Sequence, residues 1–99
     1  MAKFTQKSIL GRLDTLKPGL ARLGVKRIGL FGSYAAGKQT SRSDLDFIVE
    51  FEKPTFDSFM DLKELLETAF GKRVDLVTVG GLKPSLRHIG EQAAYAQVS

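Results

Sequence analysis

Three aspartates could do chemistry together. Asp44 and Asp46 stand two apart at the start of DLDFIVEF, and Asp75 sits between Val74 and Leu76 in RVDLVTV. In a strand, residues two apart point to the same face. Their Cα atoms then lie about 6.6 Å apart, at roughly 3.3 Å rise per residue. Carboxylates so placed can lean onto ions about 3.5–4 Å apart, the spacing of a two-metal site. A lone carboxylate in the middle of an apolar strand is costly to bury. Two unit charges 4 Å apart repel by about 4 kcal/mol at an effective dielectric of about 20. Three converging aspartates therefore demand cations, and oxygen-only donors suit Mg²⁺, with Mn²⁺ as the alternative. Taken alone, D-x-D also fits a solvated strand face. An EF-hand is excluded, because Phe47, Ile48 and Val49 occupy the places of its further ligands and glycine.

A second feature lies just upstream. Residues 32–38 read GSYAAGK, after the apolar run Ile28-Gly29-Leu30-Phe31. The spacing imitates the P-loop pattern G-x-x-x-x-G-K. A P-loop continues with Ser or Thr and a long helix, but here Gln39 follows, Thr40 is one place late, and six residues separate Gly37 from Asp44. The chain is also too short for several βαβ units, so the P-loop reading fails. A phosphate role for Gly32 and Ser33 survives it. Gly32 lets backbone approach a ligand closely. Ser33 is expected to cap a short helix from Tyr34 to Gly37, whose free N–H groups would face an anion. An ordinary turn with an N-cap serine is the plain alternative.

These residues need elements to hold them. Ile9, Leu13, Leu16, Leu20 and Leu23 recur at helical spacing. Pro18 interrupts them, which predicts a kink or two shorter helices, and Gly24 ends the run. Val25 to Phe31 reads as a strand, Gly37 to Ser43 as a loop, and Asp44 to Phe51 as the strongest strand. Thr55 or Asp57 caps a second long helix lined by Phe59, Leu62, Leu65, Leu66 and Ala69, with Gly71 as its left-handed stop. Arg73 to Val79 is a third strand and Gly80-Gly81 a turn. Leu82, Leu86, Ile89 and Ala93 mark a last helix, with Pro84 in its first turn.

The bulk numbers bound the function. The chain has 99 residues, 42% of them hydrophobic, enough for one small domain, 1–99, with its own core. It has no cysteine, which excludes a disulfide framework or thiolate metal site and makes a reducing cytoplasm the expected compartment. MAKFTQKSIL has no apolar run of signal-peptide length, and no stretch approaches a membrane span. The net charge is +4, but the basic residues are scattered and not interleaved with aromatics. A polyanionic nucleotide fits this balance better than nucleic acid as a direct ligand.

Gly-Ser after a strand, D-x-D eleven residues on from Ser33, and a third Asp on the following strand form a specific combination. GSYAAGKQTSRSDLDFIVEF and then RVDLVTVGGLKPSLRHIGEQAAY resemble the minimal nucleotidyltransferase family, within the DNA polymerase β-type superfamily. The resemblance runs from about Leu16 to Tyr95. It implies an α/β (α+β) fold, a small mixed β-sheet of three to four strands flanked by helices. It implies that Asp44, Asp46 and Asp75 hold two Mg²⁺ ions, with Asp75 beside the attacking group, and that Gly32 and Ser33 hold the β- and γ-phosphates of ATP. Many members are antitoxins paired with a HEPN-domain ribonuclease toxin, and transfer AMP to a tyrosine of that toxin. The resemblance therefore implies a HEPN toxin partner.

One position departs from the family. The pattern G-S-x-A-R-G is here G-S-Y-A-A-G, so Ala36 stands where an arginine is expected, and a cationic fork is missing near the phosphates. Lys38 or Arg42 could compensate. Ala36 keeps open a second reading, an antitoxin that neutralises its partner by contact alone. A third, transfer to a small molecule, is disfavoured because so short a chain has no extra domain to wrap an acceptor. A minimal domain must borrow its acceptor site, which predicts a homo- or hetero-oligomer. Among the remaining residues, His88 reads as a solvated helix residue and Tyr95 as a core or interface anchor. Tyr34 could pack or stack on a base. Glu50 shares the aspartates' face but reads, with Glu52, as solvated.

Overall fold

The computed structural model describes residues 4–40, 42–79 and 94–97. The first helix, α1, spans Gln6–Arg22. Thr5 and Ser8 form a reciprocal cap: the Ser8 N–H donates to Thr5 Oγ1 at 3.1 Å, and the Thr5 N–H to Ser8 Oγ at 2.8 Å. Pro18 lies inside α1 and does not divide it. Pro18 and Asp14, whose carbonyl loses its donor, are both exposed, so solvent can take the place of the missing bond. Gly24, at φ +79°, stops the helix as expected.

Three strands follow where the sequence places them: β1 (Val25–Phe31), β2 (Leu45–Phe51) and β3 (Val74–Thr78). A short helix, α2 (Gly32–Ala36), leaves β1, and α3 (Phe56–Phe70) joins β2 to β3. Thr55, not Asp57, caps α3, accepting from the Ser58 N–H at 3.0 Å. Gly71 ends α3 in the left-handed region. A fourth strand, β4 (Ala94–Gln97), pairs antiparallel with β1; it completes the expected sheet of three to four strands at a place the residue pattern did not mark. The sheet order is β3-β2-β1-β4, with β1–β2 antiparallel and β2–β3 parallel. The mixed sheet flanked by helices agrees with the expected fold class. The expected Gly80-Gly81 turn and the expected last helix, with Leu82, Leu86, His88, Ile89 and Ala93, lie outside the described residues.

The core fills the face of the sheet toward α1 and α3. Val25, Ile28 and Leu30 of β1 join Leu45, Phe47, Val49 and Phe51 of β2 and Val74 and Leu76 of β3. Ile9, Leu13 and Leu20 of α1 and Leu62, Leu66 and Phe70 of α3 close over them. Phe70 sits between Phe47 and Phe4, with ring centroids 5.8 and 5.4 Å away. Arg12 lies over the Phe4 and Phe70 rings and donates to the Ala69 carbonyl at 2.9 Å. It thereby staples α1 to the negative end of α3.

A bulge between Val25 and Arg27 adjusts β1. Residues two apart normally share a face. The extra residue lets Val25 face the helices while Arg27 lies opposite Glu50 on the other face. Arg27 Nε meets Glu50 Oε1 at 2.7 Å. Glu50 is therefore not solvated alone, nor does it support the aspartates: at about 3.3 Å per residue it lies roughly 13 Å along β2 from Asp46. Among the described residues, no helix is long and apolar enough to cross a membrane.

The packing gives a direct test. Leu66 is fully buried whereas Phe56 is 77% exposed. Leu66→Ala is expected to cost about 2–5 kcal/mol in urea denaturation, and Phe56→Ala to stay within about 0.5 kcal/mol.

Candidate active site

The aspartates gather at one end of the sheet because of the register. Asp46 of β2 lies opposite Phe31 of β1 and beside Asp75 of β3, so the last residue of β1 and two carboxylates form one row. Asp44 stands just before β2, whose first residue is Leu45. The Leu45 N–H donates to the Arg73 carbonyl at 3.0 Å, which ties the starts of β2 and β3 together. Asp44 and Asp75 are exposed and Asp46 is half-buried.

The turn from β1 into α2 closes over Asp46. Gly32 has φ +76°, a conformation that favours glycine. It also has no room for a side chain: a Cβ there would stand 2.9 Å from Asp46 Cγ and overlap Oδ2. The glycine is needed for both its backbone angle and its lack of a Cβ. Ser33 is the second residue of α2 and not its cap, contrary to the sequence reading. The N-cap is Phe31, at φ −135° and ψ −172°, with no side-chain cap bond. Because β1 runs directly into α2, the cap falls on a residue with no oxygen to offer. Among the described residues, the opening N–H groups of α2 therefore receive no side-chain acceptor.

Electrostatics mark the same spot. Burial holds the Asp46 carboxyl above the usual carboxylate range, and Asp75 and Asp44 push it the same way. Among the described residues, no ion pair reaches Asp44, Asp46 or Asp75. Nor do any three His, Cys, Asp or Glu side chains close on one point as a metal cage. The register brings the three aspartates to one sheet end without the tight convergence expected from the sequence, as mutual repulsion dictates. The donor chemistry still fits divalent cations: oxygen ligands of one sign, with no ion pair among the described residues to neutralise them.

The flanking positions divide. Lys38 and Arg42 are exposed on the segment leading to Asp44. Ala36 is exposed at the last position of α2. Tyr34 packs: it is 3% exposed within the core, with Lys72 Nζ 5.9 Å from its ring centre. Sequence reasoning noted Gln39 only as a break in the P-loop pattern. Its amide reaches the Phe4 carbonyl, a contact across 35 residues that no local pattern signals.

The carboxylate cluster predicts a stability effect. A folded-state pKa raised above the unfolded value means that ionised Asp46 opposes folding at neutral pH, and the opposition is relieved as pH falls through that raised pKa. In EDTA at pH 7, Asp46→Asn is expected to melt at or above the wild-type temperature. Its advantage should shrink as the pH is lowered toward the carboxylate range. A lower melting temperature for the variant at pH 7 would contradict this.

Comparison with known proteins places this geometry. Residues 9–94 match the family described as nucleotidyltransferase domain. The protein adenylyltransferase MntA of Thermococcus cleftensis is 42% identical over 88 residues, covering 87% of this chain and 89% of the relative. A solved structure described as a minimal nucleotidyltransferase superposes with a TM-score of 0.79 at 35% identity, over 94% of this chain and 97% of its own. A toxin–antitoxin structure with AMP-PNP superposes at 0.70 with 25% identity, over 91% of this chain and 72% of its own. With Gly32 folded over Asp46 and Asp75 in register beside it, the chain belongs to the nucleotidyltransferase family, among the minimal members that include the MntA enzymes, and is a nucleotidyltransferase.

Proposed function

We propose that the protein transfers AMP from ATP to a hydroxyl, a tyrosine in the first instance, on a HEPN-type toxin, and so acts as its antitoxin. The observation that carries this reading is the contact between the Gly32 turn and the Asp46 carboxylate, with Asp75 alongside. It puts the would-be phosphate turn against the would-be metal ligands. The relative from Thermococcus cleftensis is named a protein adenylyltransferase, and the AMP-PNP structure is a toxin–antitoxin complex. Both names support the reading.

In the proposed reaction the acceptor oxygen attacks the α-phosphorus. A new O–P bond forms, the bond from the α-phosphorus to the α–β bridging oxygen breaks, and pyrophosphate leaves. Asp75, exposed beside Asp46, takes the hydroxyl proton. Asp44, Asp46 and Asp75 would hold Mg²⁺, which supplies neutralising charge for the attacking and leaving oxygens. Gly32 and Ser33 hold the β- and γ-phosphates with backbone N–H groups and a hydroxyl, and Lys38 and Arg42 add positive charge. The protein's task is to position the reactants and supply fixed charge. The acceptor comes from another chain, which makes a complex part of the mechanism.

Ala36 favours one further reading, neutralisation by contact without transfer. It leaves the last turn of α2 without a guanidinium. A transfer assay separates the two. The protein is incubated with ATP labelled at the α-phosphate, Mg²⁺ and the HEPN-type protein encoded beside it. Label is expected on the partner, and should be lost with EDTA. Asp46→Asn is expected to lower transfer by at least about 100-fold, on the scale of losing a key charge-stabilising group. A stable complex with no label would favour contact alone. Ala36→Arg is expected to lower the KM for ATP by about 2–5-fold, the scale of one exposed ion pair.

A further inference from the structure

The segment from Gly37 to β2 carries Lys38 and Arg42 and delivers the chain to Asp44. It is bonded mostly to itself. The Lys38 N–H donates to the Ser33 carbonyl at 2.9 Å, and the Ser43 N–H to the Thr40 carbonyl at 3.1 Å. The Thr40 N–H donates to Ser43 Oγ at 2.9 Å, and the Arg42 N–H to Thr40 Oγ1 at 3.3 Å. Among the described residues, one side-chain hydrogen bond ties this segment to a distant element: Gln39 Nε2 donates to the Phe4 carbonyl at 3.3 Å, at the entrance to α1.

The other end of the same amide is anomalous. Gln39 Oε1 is buried and accepts no hydrogen bond, alone among buried side-chain polar atoms of the described residues. Such an orphan acceptor is unfavourable, and most buried polar atoms avoid it. An apolar side chain of similar length would fill the position without the orphan. The fold therefore gains little from a glutamine here beyond the N–H it offers to Phe4.

We infer that Gln39 is a positioning residue for the nucleotide. It pins the stretch around Gln39 against the start of α1 and so aims the cations of Lys38 and Arg42 at the triphosphate. This rests on the proposed function and deepens its nucleotide site. The tether matters in this chain because Ala36 supplies no guanidinium, so the phosphates depend on cations borne by the loop.

The test combines calorimetric titration with AMP-PNP and Mg²⁺, ATP transfer kinetics and thermal melting. Gln39→Leu removes both the orphan and the tether. It is expected to melt at or above the wild-type temperature, to weaken AMP-PNP binding and raise the KM for ATP by about tenfold, and to keep kcat within about twofold. Gln39→Glu, which cannot donate to Phe4, is expected to lose affinity at least as much. Ala36→Arg placed in the Gln39→Leu background is expected to restore affinity by an independent route. Wild-type affinity in Gln39→Leu would overturn the inference. So would an affinity loss matched by a fall in melting temperature, which marks a merely structural role. If the wild-type protein binds AMP-PNP but transfers nothing, the proposed function fails while the affinity comparison still decides the role of Gln39. No nucleotide binding by the wild type overturns both.

Discussion

Asp46 lies where three constraints meet. The antiparallel register sets it opposite Phe31, the parallel register sets it beside Asp75, and the chain after Phe31 turns at once so that Gly32 closes over its carboxylate. The turn is possible because Gly32 tolerates a positive φ and carries no Cβ. A half-buried carboxylate crowded by two others is not what a stability-driven sequence would place there. Burial, with Asp75 and Asp44 nearby, disfavours its ionised form. The arrangement makes sense as an anionic cradle that a cation completes, the kind of local destabilisation expected of a site built for chemistry.

The rest of the molecule offsets that cost from the other face of the sheet. The helix-side core is continuous across β1, β2, β3, α1 and α3, with Phe47, Phe70 and Phe4 in one aromatic chain. Arg12 fastens the two long helices through an aromatic stack and a carbonyl bond. On the opposite face, the bulge in β1 hands Arg27 to Glu50. Glu50 is thereby paired at the far end of β2, about 13 Å from Asp46. Stability and chemistry are thus divided between the two faces of one small sheet.

The proposed phosphate side draws on fewer fixed groups. Ala36 leaves the end of α2 uncharged, and Tyr34 is committed to the core rather than to a nucleotide base. In the proposed site, positive charge then comes from Lys38 and Arg42 on the loop. Its placement relies on contacts within the loop and on the Gln39 tether to Phe4. A guanidinium on a helix is pre-oriented, whereas a lysine or arginine on a loop must be held there. An orphaned amide oxygen is consistent with a residue kept for where it holds the chain.

The sequence by itself determined the local and periodic features. The two long helices, a cap at Thr55 or Asp57 for the second of them, the stops at Gly24 and Gly71, and the strands β1, β2 and β3 all follow from a few neighbouring residues. The element types that carry the site were legible for that reason. What needed the tertiary structure depends on partners far along the chain. Pro18 is tolerated because its side of α1 faces solvent, and Ala94–Gln97 becomes a strand because β1 has a free edge to pair with. Ser33 falls inside α2 because the helix begins at Gly32, directly after β1. The bulge at Arg27, the choice of Glu50 as its partner, and the packing of Gly32 on Asp46 are set by strand register. Register is a relation between segments, fixed by which faces must be buried together, and no single segment carries it.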